Sequence, residues 1–260
     1  MSALVTVSSA ELTAWLGQWW WPFARLAATF WMLPIYGDGR VTPMVRLFLA
    51  FTISLGMAPM MKNMPAFDPF SLEAIVVTIE QIVFGLLFGL TVQLLFAVMT
   101  TTGQILAMQM GLAMAVMNDP QNGDSAPLIS QLMLIFCTLL FLGIDGHLAV
   151  LDILVRSFQA WPPGASLYRL DLMGVVGLFG WCIGAALILA LPVVIAMLMV
   201  NLTFGVMNRS APSLNVFSLG FPMTLLLGLL TLSISVSGVP DRYLDLVTHV
   251  LDQLTGLVMR

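Results

Sequence analysis

An all-α, polytopic membrane protein is the fold class this sequence predicts, and three observations carry that reading. The chain of 260 residues is 60% hydrophobic and only 8% charged, against roughly 45–50% apolar and 25% charged usage in soluble domains. Residues 81–118, 172–208 and 210–240 contain no Asp, Glu, Lys or Arg, and a helix needs only about 20 apolar residues to cross the hydrocarbon core of a bilayer. Between the apolar runs lie short clusters of Gly, Pro, Asn and Asp, the chemistry of reversals and helix ends.

The first apolar segment, 12–36, opens with Trp15, Trp19, Trp20 and Trp21, rings that mark a membrane interface. No Lys or Arg precedes Arg25, so the basic region of a cleaved signal peptide is missing and the segment is expected to stay. Tyr36-Gly37-Asp38-Gly39-Arg40 with Pro43 then supply a tight reversal. Residues 44–61 run apolar again but are barely long enough to span. Lys62-Asn63-Met64-Pro65 and Asp68-Pro69 end them, so a short hairpin arm is the alternative.

Residues 72–117 are helix-compatible throughout, with Thr100-Thr101-Thr102-Gly103 as the weak point, which predicts one long bent helix or two abutting ones. The polar loop 118–124 separates this run from an apolar stretch at 128–144, which ends at Asp145-Gly146-His147 before a further stretch to Val155. Trp161-Pro162-Pro163-Gly164 reads as a loop. Residues 172–207 are too long for one upright span, and Pro192, which lacks a backbone donor, predicts a kink. Arg209-Ser210-Ala211-Pro212 breaks the chain again, and the run 216–239 starts with Gly220 and Pro222, predicting an irregular first turn. Beyond Pro240, Leu244, Val247, Leu251, Leu254 and Val258 recur at helical spacing opposite Asp241, Asp245 and Asp252. That pattern is an amphipathic helix expected to lie on a surface or a partner. The domain reading is therefore a hairpin body of residues 1–239 and a C-terminal helix of 240–260.

Much chemistry is excluded. Nine basic against thirteen acidic residues and no Lys/Arg cluster leave no footprint for nucleic acid. Cys137 and Cys182 each sit alone in an apolar run and read as small buried hydrophobes. His147 and His249 belong to no H-E-x-x-H pattern, and neither a G-x-S-x-G elbow nor a P-loop occurs. The chain thus reads as no enzyme, without cofactor or metal. His147 is a helix-end residue in this reading. Glu73 and Glu80, seven apart on one helix face, read as a solvated helix start. Arg25, between Phe23 and Phe30, costs several kcal/mol in lipid unless paired, so it is expected to face protein or water.

The stretch Gly103-Gln104-Ile105-Leu106-Ala107-Met108-Gln109-Met110-Gly111-Leu112-Ala113-Met114-Ala115, followed by Asp119-Pro120, closely resembles the FliR/SctT family, the export-gate subunit of flagellar and virulence type III secretion. Three further blocks fit in the same order. They are Leu33-Pro34-Ile35-Tyr36-Gly37 with Val41-Thr42-Pro43; Leu140-Phe141-Leu142 through Gly146-His147-Leu148; and Asn208-Arg209 through Pro212 and Asn215-Val216-Phe217 to Gly220-Phe221-Pro222. The resemblance covers nearly the whole chain. Ser213 stands where the family usually has Gln, and Asp145 where Asn is commoner. The Asp119-Pro120 loop and the Gly220-Phe221-Pro222 turn resemble the flagellar branch.

The resemblance implies bent helical hairpins arranged like a fusion of the P-type and Q-type gate subunits. It further implies assembly with several copies of those FliP-like and FliQ-like proteins in the bacterial inner membrane and flagellar basal body, an FlhB-like switch protein docking on the gate, and unfolded export substrates as cargo. Pro192, Pro212, Gly220, Pro222 and the segment from Thr100 to Gly103 then become hairpin bends, with freed backbone groups satisfied by neighbouring subunits. An export pore needs a soft apolar seal, and the family places a plug loop after the methionines. Met108, Met110, Gly111, Met114, Met117, Asn118, Asp119 and Pro120 are the expected plug and gasket. The rival readings are a small-solute transporter using Arg25 and Glu80, and a scaffold of the gate that lines no pore.

Overall fold

The computed structural model describes residues 9–37, 39, 41–60, 71–112, 128–165, 172–210 and 216–259. Among them the chain forms eight α-helices and no strand: α1 (Ser9–Met32), α2 (Pro43–Met57), α3 (Leu72–Gln109), α4 (Leu128–Gly143), α5 (Gly146–Ala160), α6 (Leu172–Ser210), α7 (Val216–Val236) and α8 (Val239–Met259). A 3-10 turn, Ala58–Met60, follows α2. The fold is all-α. Helices α3 and α6 are each long and apolar enough to cross a membrane, and up to four crossings result if each of two bent helix pairs counts as one span. At 15 residues, α2 is about 22 Å long, short of the roughly 30 Å hydrocarbon core.

Two compact units share the chain. The first comprises Met1–Gln93, His147–Val175 and Val250–Arg260; the second comprises Leu94–Gly146 and Val176–His249. In the first unit α1 and α2 form an antiparallel hairpin. Trp19 meets Phe51 edge-on at 5.8 Å, Ser54 donates to the Trp19 carbonyl at 2.6 Å, and the Arg46 guanidinium lies 5.5 Å from the Trp31 ring. The reversal between them holds Gly37, whose N–H donates to the Leu33 carbonyl. A Cβ there would stand 2.7 Å from the Leu33 carbonyl oxygen, so only glycine fits the turn.

Helix α3 runs unbroken through Thr100–Gly103, so the run is one long helix and not two abutting ones. Thr102 returns its hydroxyl to the Val98 carbonyl at 2.8 Å, and the Ser130 hydroxyl of α4 donates to the Thr100 carbonyl at 2.8 Å. A Cβ on Gly103 would lie 2.6 Å from the Ser130 Cα. The glycine is there to let a second backbone approach, which is the use small residues serve in membrane helix packing.

The second unit packs Leu94 and Val98 of α3 against Leu178, Cys182 and Ala186 of α6. Phe96 meets Phe141 of α4 edge-on at 5.4 Å. The turn after α4 puts Asp145 at φ 55, in the left-handed region that Asn and Asp tolerate best among residues with a Cβ. That shared tolerance explains how Asp145 can stand where Asn is commoner.

Helix α8 is amphipathic, but its buried stripe is Tyr243, Val247, Val250, Leu254 and Val258, while Leu244 is 45% exposed. The stripe is shifted from the expected one because the buried Tyr243 hydroxyl accepts from the Cys137 thiol at 3.1 Å. Tyr243 and Val247 belong to the second unit, and Val250, Leu254 and Val258 to the first. Both cysteines are free and buried.

Candidate functional site

The run expected to seal a pore starts at the end of α3. The Leu112 N–H donates to the Ala107 carbonyl at 3.0 Å and the Gly111 N–H to the Met108 carbonyl at 3.1 Å, with Gly111 at φ 78. These two bonds are a Schellman cap, and its left-handed position excludes a Cβ at little cost only when it is glycine. Gly111 therefore ends a helix. Met110 is fully buried and presses on α7, where a Cβ on Gly228 would stand 2.5 Å from its Cγ. Met108 is 67% exposed. Of the remaining plug residues, Met114, Met117, Asn118, Asp119 and Pro120 lie outside the described residues.

Three of the expected hairpin bends lie within helices. Pro192 lies inside the continuous α6 and Pro222 inside the continuous α7, with Gly220 in the opening turns of α7. Pro192 deprives the Ile188 carbonyl of its helical donor, yet the chain does not reverse there. The helix runs on from Leu172 to Ser210, and the turns come instead at Ile144-Asp145 and Ser237-Gly238. Pro212 lies outside the described residues.

Arg25 is 1% exposed and enclosed by its own unit. Its Nε–H donates to Gln81 Oε1 at 2.9 Å, Nη1 to Ser157 Oγ at 2.8 Å and Nη2 to the Trp161 carbonyl at 2.8 Å. Phe158 and Phe84 hold the guanidinium at 3.9 and 4.4 Å from their ring centroids, a cation–π arrangement strengthened by the absence of water. No carboxylate is paired with it among the described residues; an ion pair on the surface of α5 joins Arg156 to Asp152 at 2.8 Å. The cluster ties α1, α3 and α5 together. Two glycines make it possible. A Cβ on Gly85 would clash with the Arg25 carbonyl oxygen and lie 2.9 Å from the Ala28 Cβ, and one on Gly89 would lie 2.8 Å from the Thr29 carbonyl oxygen. Sequence reasoning found Arg25 but not Gln81, Phe84, Ser157, Phe158 or Trp161. The spacing Gly85-x-x-x-Gly89 was the available signal.

Glu73 is exposed in the first turn of α3, and His147 stands in the first turn of α5. No cluster of three or more metal-ligating side chains occurs among the described residues.

Helix α6 carries a long apolar surface that the chain leaves open. From Met173 to Met207 it exposes Val176, Phe179, Ile183, Leu187, Ile195 and Leu202, among other apolar side chains. A Cβ added to Gly177, Gly180, Gly184 or Gly205 would meet nothing within 4 Å.

An all-α chain with helices long and apolar enough to cross a membrane is of the class of multi-helix membrane proteins. Comparison with known proteins makes the class specific. The model of the family described as bacterial export proteins, family 1, matches residues 16–250, and the chain belongs to that family. The flagellar biosynthetic protein FliR of Pectobacterium carotovorum subsp. carotovorum is 32% identical over 256 residues, covering 98% of each chain. FliR of Escherichia coli (strain K12) is 34% identical over 229 residues, 87% of each chain. FliR of Bacillus subtilis (strain 168) is 26% identical over 219 residues, 83% of this chain and 84% of that one.

Proposed function

We propose that this chain is a core subunit of the flagellar type III protein export gate. With FliP-like and FliQ-like subunits it forms the channel for unfolded substrates, an FlhB-like switch protein docks on it, and it resides in the inner membrane at the flagellar basal body. It carries out no catalysis. In this reading residues 1–239 act as one hairpin body resembling a P-type and Q-type fusion, with the helix of 240–260 appended.

The observation that carries this reading is the length of the open face of α6. Exposed apolar side chains run from Met173 to Met207, about 50 Å at 1.5 Å per residue, whereas lipid tails cover only about 30 Å. Bilayer alone leaves a large part of that face in water, so neighbouring protein must cover it. Aspartate at Ile183 and Ile195 together is expected to stop co-purification with FliP-like and FliQ-like subunits and to abolish secretion of flagellar substrates. Wild-type secretion by that variant would contradict the reading.

The segment 108–123 is proposed to close the resting channel. Met108 supports this by its exposure beside a capped helix end, while Met110 holds that end against α7. Deleting residues 113–123 is expected to make membranes leaky to ions, and unchanged conductance would remove the plug from the account. The small-solute transporter is disfavoured by Arg25 itself, since each of its three nitrogens already has a protein partner.

A further inference from the structure

We propose that the second unit binds an anionic phospholipid in the clefts between α6, α7 and the start of α8, with its phosphate on Arg242. One cleft, of about 280 Å³, has an apolar body formed by Met99, Leu106, Met133, Val193 and Leu232. Its mouth is polar, formed by Ser235, Ser237 and Arg242 at the turn between α7 and α8. A second cleft, of about 350 Å³, shares Leu189 and Arg242 with the first and is walled by Trp181, Ile188 and Leu246. Two apolar clefts that meet at one cation match the chemistry of two acyl chains joined at one phosphate.

The charges favour an anion at the shared mouth. Arg242 is exposed and has no hydrogen bond or ion pair among the described residues. A guanidinium on apolar surroundings takes a phosphate through paired, charge-assisted hydrogen bonds, and basic pockets between membrane helices bind lipid headgroups in this way. Asp241 lines neither cleft, and Asp245 lines only the second. The phosphate is thereby directed to the first mouth, where the Ser235 hydroxyl can donate to it, and the second cleft receives only a chain.

The proposal needs membrane residence alone and is read without export, so it stands or falls apart from the function proposed above. The test uses the full-length chain, purified from membranes with its associated subunits, in nanodiscs carrying phosphatidylglycerol with a photoreactive acyl chain, and separately phosphatidylcholine with the same chain. Phosphatidylglycerol is expected to label peptides containing Met133 and Leu232 about fivefold more than phosphatidylcholine, whose choline cation offsets the charge of the same phosphate. Arg242→Gln, a change on the surface, is expected to lower the phosphatidylglycerol label to the phosphatidylcholine level, and Arg242→Lys to retain part of it. Leu232→Trp is expected to remove both labels by filling the cleft. Excess glycerol phosphate is expected to leave labelling unchanged, because a headgroup without chains lacks the apolar anchorage. Equal labelling by the two lipids, an Arg242→Gln label equal to wild type, or a photoreactive residue at Leu232 that cross-links to another subunit instead of lipid would each overturn the proposal.

Discussion

Helices α3 and α6 are near twins in sequence terms, with 38 and 39 residues and no charge over most of their length. Folded, they part company. In the most apolar stretch of α3, 61% of residues are buried by the chain; in that of α6, 22% are. Their glycines tell the two apart. Gly85, Gly89 and Gly103 of α3 each touch another helix's main chain or Cβ, while Gly177, Gly180, Gly184 and Gly205 of α6 meet open space. Hydropathy reports that a side chain avoids water. It does not report what covers it, and here the chain covers one helix itself and leaves the other to something else.

Breaking the internally covered helix should destabilise the chain alone. Arg25→Met carries the largest expected effect, about 3–5 kcal/mol, because it removes the shared donor of Gln81, Ser157 and the Trp161 carbonyl and leaves three buried acceptors unsatisfied. Thermal unfolding of the purified chain in detergent should show it. Arg25→Lys should recover only part of the loss, since an ammonium cannot reproduce the planar fork or its stacking between two rings.

Gly85→Leu comes next, at about 3 kcal/mol, because its Cβ meets a main-chain carbonyl that cannot swing aside. The same unfolding measurement on Gly184→Leu, whose Cβ meets nothing, should give a chain as stable as wild type that nonetheless fails to capture partner subunits. If both substitutions destabilise the chain equally, the distinction between the helices is lost.

Gly111→Ala should cost about 1–2 kcal/mol by forcing a Cβ into the left-handed cap that ends α3. Hydrogen exchange is expected to report it as fraying of the last turn, at Leu106 to Met110, with the rest of α3 unchanged.

The fold class and the order of helices were legible because charge-free runs and Gly/Pro clusters are direct signatures of apolar helices and their ends. The site was less so. Thr100–Gly103 reads as a weak point because a glycine that ends a helix and one that admits a neighbour look alike in sequence. Only the position of Ser130, thirty residues away, decides between them. Pro192 and Pro222 read as bends because proline removes a donor, but each lies inside a helix that continues past it. Gln81, Ser157 and Trp161 were invisible as partners of Arg25 because their meeting depends on how α1, α3 and α5 cross. The tail helix gave its period correctly and its face one residue off, since Tyr243 counts as polar until its hydroxyl finds Cys137.

The central claim is that protein, not lipid, covers α6 along most of its length. Photoreactive residues placed one at a time at Ile183, Ile195 and Leu202, in cells that assemble flagella, test it most directly. The account predicts cross-links to other export-apparatus subunits at all three positions. Cross-links to lipid alone at all three would contradict it.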